Sequence, residues 1–186
     1  MVSHTAARLA NALTPGEKQG NAYQPPTSNE RQRVVADLLA GDGPVGGRPV
    51  VTARDGESLT ETAARLRTVF ESVAIGDLAL AAWQVNQLLV ETGARPQLDY
   101  YEPDGWSLHF HGKDDSVAIG WAAGFASGLA LAIGSDFVGR LGVCEAIRCD
   151  RVYVDASRNG AKRFCSTSCQ NRVKAAVFRS RHSART

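Results

Sequence analysis

Residues 144–172 read CEAIRCDRVYVDASRNGAKRFCSTSCQNR. All four cysteines of the chain lie here, spaced C-x4-C-x15-C-x3-C, and none occurs in the first 143 residues. Zinc(II) takes four ligands in a tetrahedron, and paired cysteines on tight turns supply them at little ordering cost. Cys144, Cys149, Cys165 and Cys169 are therefore expected to hold one structural Zn2+. The alternative is four structural or redox thiols without metal. Paired spacing and the lack of other cysteines favour the metal. A disulfide framework would more usually tie distant parts of a small secreted chain together.

The residues between the pairs fit a finger. Val152 and Val154 alternate with polar neighbours, as in a strand. Asn159-Gly160 signals a hairpin turn, and residues 162–164 are the expected return strand that delivers Cys165. Ser166 is placed to cap a helix starting near Thr167, with Cys169 in its first turn. The pattern is similar to a treble-clef zinc finger. A segment of about 45 residues buries too little apolar surface to be stable alone, so the metal acts as its core. Four thiolates close the coordination shell, which argues for a structural rather than a catalytic ion.

Charge divides along the chain. All 19 acidic residues lie at or before Asp155, where they face 13 basic ones, a net −6. The last 31 residues carry eight basic residues and no acid, a net +8. A basic segment on an acidic body points to a polyanion partner at one end. Arg158, Lys162 and Arg163 crowd the expected hairpin. Asn171, Arg172, Lys174, Arg179, Arg181 and Arg185 follow on the expected helix. Such cations suit a duplex phosphate backbone, and Arg or Asn on a helix can reach base edges. A solvated tail is the plainer alternative, and Asn171 and Arg172 serve equally well as braces of the fold.

The rest of the chain reads as mostly helical. Residues 5–13 form a short helix before Pro15, and residues 14–29 read as a polar loop. Residues 30–39 form a helix with Val34, Val35, Leu38 and Leu39 on one side. GDGPVGG at 41–47 is a connection that lacks the GK[ST] ending of a phosphate loop. Ser58 and Glu61 fit a capping box that opens the next helix. Leu59, Ala63, Leu66, Phe70 and Val73 follow on one face. Asp77 caps a further helix, with Leu78, Ala81, Val85, Leu88 and Leu89 on its apolar face and Gly93 at its end. Residues 97–101 and 106–111 flank Pro103-Asp104-Gly105, a hairpin signal. Its alternation sets Trp106, Leu108 and Phe110 against Ser107, His109 and His111, which places the two histidines on a solvated polar face rather than at a metal.

Residues 117–135, VAIGWAAGFASGLALAIGS, carry no charge over nineteen positions. That length is close to a bilayer span. Its Ala and Gly content and the flanking Asp114, Asp115 and Asp136 favour a buried core helix, so no membrane association is expected. Gly120, Gly124 and Gly128 form a stripe that would admit a close helix neighbour. The first residues lack the basic and apolar runs of a secretory signal, which points to a reducing, cytoplasmic setting. The fold class expected is mainly α with a β-hairpin (α+β) over residues 1–140, followed by a small treble-clef-like zinc finger over 141–186.

The pattern C-x4-C, then DASRNGAKRFCS, then CQNRVKA, resembles the CGNR zinc-finger family. These are bacterial proteins with an N-terminal ABATE-type domain, regarded as stress-related transcription regulators. The family's name motif stands here as Cys169-Gln170-Asn171-Arg172, with Gln in place of the usual Gly. The resemblance covers residues 141–181. Upstream, LANAL at 9–13 and ARLRTVFE at 64–71 are similar to the family's N-terminal stretches and align Asn11 and Arg67 with matching positions.

The resemblance implies a DNA-binding transcription regulator whose N-terminal domain responds to a small-molecule effector or forms a homodimer. Asn11 and Arg67 are the effector-binding candidates, although core packing or a surface ion pair would also explain them. A zinc-stabilised adaptor that binds another protein is the alternative. No Ser-His-Asp arrangement, HExxH or phosphate loop is present, so no enzymatic activity is expected.

Overall fold

The computed structural model describes residues 2–40, 47–103 and 105–183. The connection at 41–46, Asp104 of the expected hairpin turn and Arg185 lie outside the described residues. The chain runs α1 (Val2–Leu13), β1 (Gly16–Lys18), β2 (Asn21–Tyr23), α2 (Ser28–Leu39), α3 (Ala53–Ala74), α4 (Leu78–Thr92), β3 (Arg95–Tyr101), β4 (Gly105–His111) and α5 (Val117–Ile133). A 3-10 turn (Asp136–Arg140) then leads into β5 (Leu141–Val143), β6 (Val152–Val154) and α6 (Thr167–Ser183). The architecture is mixed: among the described residues, long helices accompany three separate antiparallel strand pairs, β1–β2, β3–β4 and β5–β6.

The apolar stripes meet as their spacing predicts. Leu9 and Leu13 of α1, Leu59, Leu66 and Phe70 of α3, Val85 and Leu88 of α4, and Phe125 and Leu129 of α5 form one buried core. Each such side chain contributes roughly 1.5–3 kcal/mol when fully buried. Leu141 and Val152, from the two strands of the finger, belong to that same core. The metal-binding segment is thus packed onto α1 and α3.

Several local expectations are corrected. The N-cap of helix α3 lies six residues before Ser58, because Thr52 and Asp55 form the capping box: Thr52 Oγ1 accepts from Asp55 N at 3.1 Å and Asp55 Oδ2 accepts from Thr52 N at 3.0 Å. Asp55 also accepts from Ala118 N (3.2 Å), tying the starts of α3 and α5 together. Burial pushes its carboxyl up, but the Thr52 and Ala118 hydrogen bonds outweigh this and hold it below the ordinary carboxylate value. Asp77 and Gly93 cap α4 as expected, with Gly93 left-handed at φ 60°.

Gly120 does not mark a close helix contact, since a Cβ there would meet nothing within 4 Å. Helix α5 instead packs through Ala118, Ala122, Phe125, Ala126 and Leu129. Among the described residues, no helix is long and apolar enough to cross a membrane.

The β3–β4 hairpin turns the opposite way from its sequence pattern. Trp106 is 70% exposed and Leu108 56%. The face bearing the histidines is the half-buried one. His109 stacks edge-on to Tyr101 with a buried, unpartnered Nε2, and His111 Nε2 lies 2.6 Å from Asp99 Oδ2.

The segment at 14–29 is not merely a loop. It forms the β1–β2 hairpin, turning through Gln19 (φ 54°) and Gly20 (φ 94°). Gly16 sits where a Cβ would fall 2.0 Å from Asp150 Oδ2, so only glycine admits the finger this closely.

Candidate metal centre

Three tight segments carry the four cysteines. Cys144 follows β5, Cys149 precedes β6, Cys165 ends the loop after β6, and Cys169 lies in the first turn of α6. Strand β5 pairs with β6 in the register Leu141↔Val154, Gly142↔Tyr153 and Val143↔Val152, so the chain reverses between the first two cysteines. Ser166 Oγ accepts from Cys169 N at 3.3 Å and fixes the helix start, as the sequence predicts.

The expected return strand at 162–164 is not formed. Residues 155–163 are instead a loop pinned by Asp155, which accepts from Ser157 N and Lys162 N, both at 2.8 Å. A turn at Asn159-Gly160 is present, with Gly160 left-handed at φ 62°. Two further bonds place the loop's end: Tyr153 Oη donates to Lys162 O (2.6 Å), and Glu145 N donates to Arg163 O (3.0 Å). The local pairing is therefore β5 with β6, which left-handed Arg148 (φ 55°) helps to turn.

The four Sγ atoms all lie within 4.8 Å of one another. Cys149 to Cys165 is 3.8 Å, Cys165 to Cys169 3.7 Å and Cys149 to Cys169 3.6 Å. A tetrahedron with Zn–S bonds of about 2.3 Å has edges of about 3.8 Å, so this donor set fits zinc. All four are free thiols, and Cys144, Cys149 and Cys169 are buried. Burial, and then the neighbouring sulfurs, push the Cys165 thiol far up; burial also pushes up that of Cys144. Cys149 is held below its ordinary value, because backbone bonds from Gln19 and Arg151 outweigh burial. Closely packed thiols do not ionise together without an opposing charge. A divalent cation supplies it. Ala146, Phe164 and Val173 pack around the cluster as a small second core.

The finger is locked to the body. Asn11 Oδ1 accepts from Val152 N (2.9 Å) and Asn11 Nδ2 donates to Val152 O (2.8 Å). Arg151 Nη1 donates to Asn11 O (2.7 Å). Arg67 Nε donates to Thr14 Oγ1 (2.5 Å) and Arg67 Nη1 to Asp150 O (2.9 Å). Both residues picked out by sequence thus lie on the seam, with side-chain atoms on finger backbone.

The β1–β2 hairpin adds a second set of bonds. Glu17 N donates to Asp150 Oδ2 (2.9 Å), Asp150 N to Glu17 O (3.1 Å) and Gly20 N to Arg148 O (2.8 Å). The sequence reading missed this hairpin. Its available signal was the pair Gly16 and Gly20 framing three polar residues.

The basic residues separate into two groups. Arg172 Nη2 donates to Ile147 O (2.9 Å), so this side chain braces the knuckle. Arg163 pairs with Glu145 (Nε to Oε2 2.7 Å), and Lys162 Nζ lies 4.9 Å from the Tyr153 ring centroid. Asn171, Lys174, Arg179 and Arg181 are exposed on α6, and Arg158 is exposed on the loop. From Lys174 to His182 every residue of α6 is exposed, including Val177 and Phe178. Val177 is 43% exposed, because α6 leaves the body after Val173.

The family model for the CGNR zinc finger matches residues 140–182. Among curated proteins, none matches the chain. The matched segment carries all four thiols, and the centre is that of one structural zinc ion.

Proposed function

We propose that the chain is a DNA-binding transcription regulator in which zinc shapes the finger and α6 meets the duplex. One observation carries this reading: α6 stands clear of the body beyond Val173 and presents Lys174, Arg179 and Arg181, in a chain with no acid after Asp155. A projecting cationic helix fits phosphate contacts and a groove. Zinc fixes the helix at its first turn, so its direction is set by the metal cluster. The N-terminal body, of ABATE type by resemblance, would carry the response to a small-molecule effector or a homodimer contact. A binding role, not catalysis, is the proposal.

Fluorescence anisotropy with duplex DNA across a salt series tests it. Binding should weaken steeply with salt, and K174E/R179E/R181E should abolish it while keeping zinc. Wild-type affinity in that variant overturns the proposal. A protein-binding adaptor is the second reading, favoured by Val177 and Phe178, which are 43% and 62% exposed on the same helix. Binding to a protein that survives nuclease treatment and is lost in F178A supports that reading instead.

A further inference from the structure

The seam between the body and the finger contains a cleft of about 400 Å³. Helix α1 contributes His4 and Arg8, the β1–β2 hairpin contributes Lys18, and the finger contributes Lys162 and Ser166. None of its lining residues is acidic. That is unexpected where the body as a whole carries a net negative charge.

The way two of the cations are held matters more than their number. Lys18 Nζ lies 5.7 Å from the Tyr23 ring centroid and Lys162 Nζ 4.9 Å from that of Tyr153. Among the described residues, neither ammonium forms an ion pair. A ring face steadies a cation without neutralising it, so both charges stay available to an anion. Arg151 also lines the cleft, but Asp150 already pairs with it. Ser166 adds a donor. Its Oγ accepts from Cys169 N and from Gln19 Nε2 (3.3 Å), so both lone pairs are in use and its proton is left over. The Cys165 thiol, 3.9 Å away, is also placed as a donor to this oxygen and not as a partner for its proton.

We infer that this cleft is a binding site for a phosphate group, borne by a small phosphorylated molecule or by a nucleic-acid backbone. Cations without an ion-pair partner, one from the body and one from the finger, with a hydroxyl in the same lining, suit a dianion. A phosphate there touches Lys18 of the body and Lys162 of the finger at once, and so holds the finger against the body. The inference does not depend on DNA binding by α6.

The test uses inorganic phosphate on the zinc-loaded full chain, followed by calorimetry at constant ionic strength. Saturable binding with one phosphate per chain is expected. K18Q/K162Q should weaken it at least about tenfold, and K18Q alone by less. R179Q/R181Q removes the same charge from α6 and should leave phosphate affinity unchanged. Retention of one zinc per chain verifies folding of each variant. No saturable binding up to about 10 mM phosphate overturns the inference. Equal affinity in K18Q/K162Q, or an equal loss in R179Q/R181Q, overturns it too. Repeating the titration with duplex DNA present identifies the source. Phosphate that still binds supports a free phosphorylated ligand, and phosphate that is displaced supports a backbone phosphate in the same cleft. Failure of α6 to bind DNA changes none of these outcomes.

Discussion

The carboxamide of Asn11 bonds both backbone groups of Val152, accepting from its N–H and donating to its carbonyl. A side chain of α1 thereby completes the open edge of β6, where a third strand would otherwise pair. Val152 is only 1% exposed, so water does not replace a lost partner. Each buried backbone group left unpaired costs roughly 1–3 kcal/mol. N11A should therefore destabilise the zinc-loaded chain by about 2–5 kcal/mol in urea unfolding. A change under about 0.5 kcal/mol would remove Asn11 as the bracket.

Zinc removal should act locally before it acts globally. Cys149 takes backbone hydrogen bonds from Gln19 and Arg151, so losing the metal should also release the β1–β2 turn. Chelation is expected to speed hydrogen exchange at Gln19, Cys169 and Gln170. Amides near Leu66, Phe70 and Phe125 should stay protected, because that core is built from α1, α3, α4 and α5. Uniform loss of protection across both regions would contradict this.

Asp155 fixes the loop that delivers Cys165. Bonds from the Ser157 hydroxyl and from the N–H groups of Lys162 and Ser157 hold its carboxyl at about 2, below the ordinary 3.8. A depressed carboxylate contributes stability that is complete above the unfolded value and lost as pH falls through the folded one. The stability difference between wild type and D155N should thus stay constant from about pH 8 to pH 5. A difference that shrinks over that range would mean Asp155 titrates well above about 2.

Arg172 and the outer cations of α6 should separate experimentally. K174Q/R179Q/R181Q is expected to reduce the salt slope of DNA binding by roughly 2 to 3 while leaving stability unchanged. R172A loses the bond to Ile147 O and should cost about 1–3 kcal/mol of stability, with faster zinc release to a chelator. If R172A changes only the salt slope, Arg172 is a phosphate contact and not a brace.

The sequence made the long helices and the metal ligands readable for different reasons. Leu59, Leu66 and Phe70 repeat at helical spacing, which any buried helix face must show. Four cysteines in two tight pairs have few uses besides a metal. The β1–β2 hairpin was missed because its strands are three residues each, too short for alternation to register, which left only the Gly16 and Gly20 pair as a signal. Its stability comes from Asp150 and Arg148, more than a hundred residues away. The start of α3 was misplaced because Ser58 and Glu61 also fit a capping box, whereas Thr52 and Asp55 carry the cap. The partner of β6 was misassigned for a similar reason. A good turn signal at Asn159-Gly160 does not decide which strand pairs, and the core positions of Leu141 and Val152 do.

The central claim is that Cys144, Cys149, Cys165 and Cys169 together hold one zinc ion. Zinc-edge X-ray absorption on gently purified protein, with elemental analysis, tests it most directly. The account predicts one zinc per chain with four sulfur neighbours at about 2.3 Å. Protein without zinc, or a shell containing nitrogen or oxygen in place of a sulfur, would contradict it.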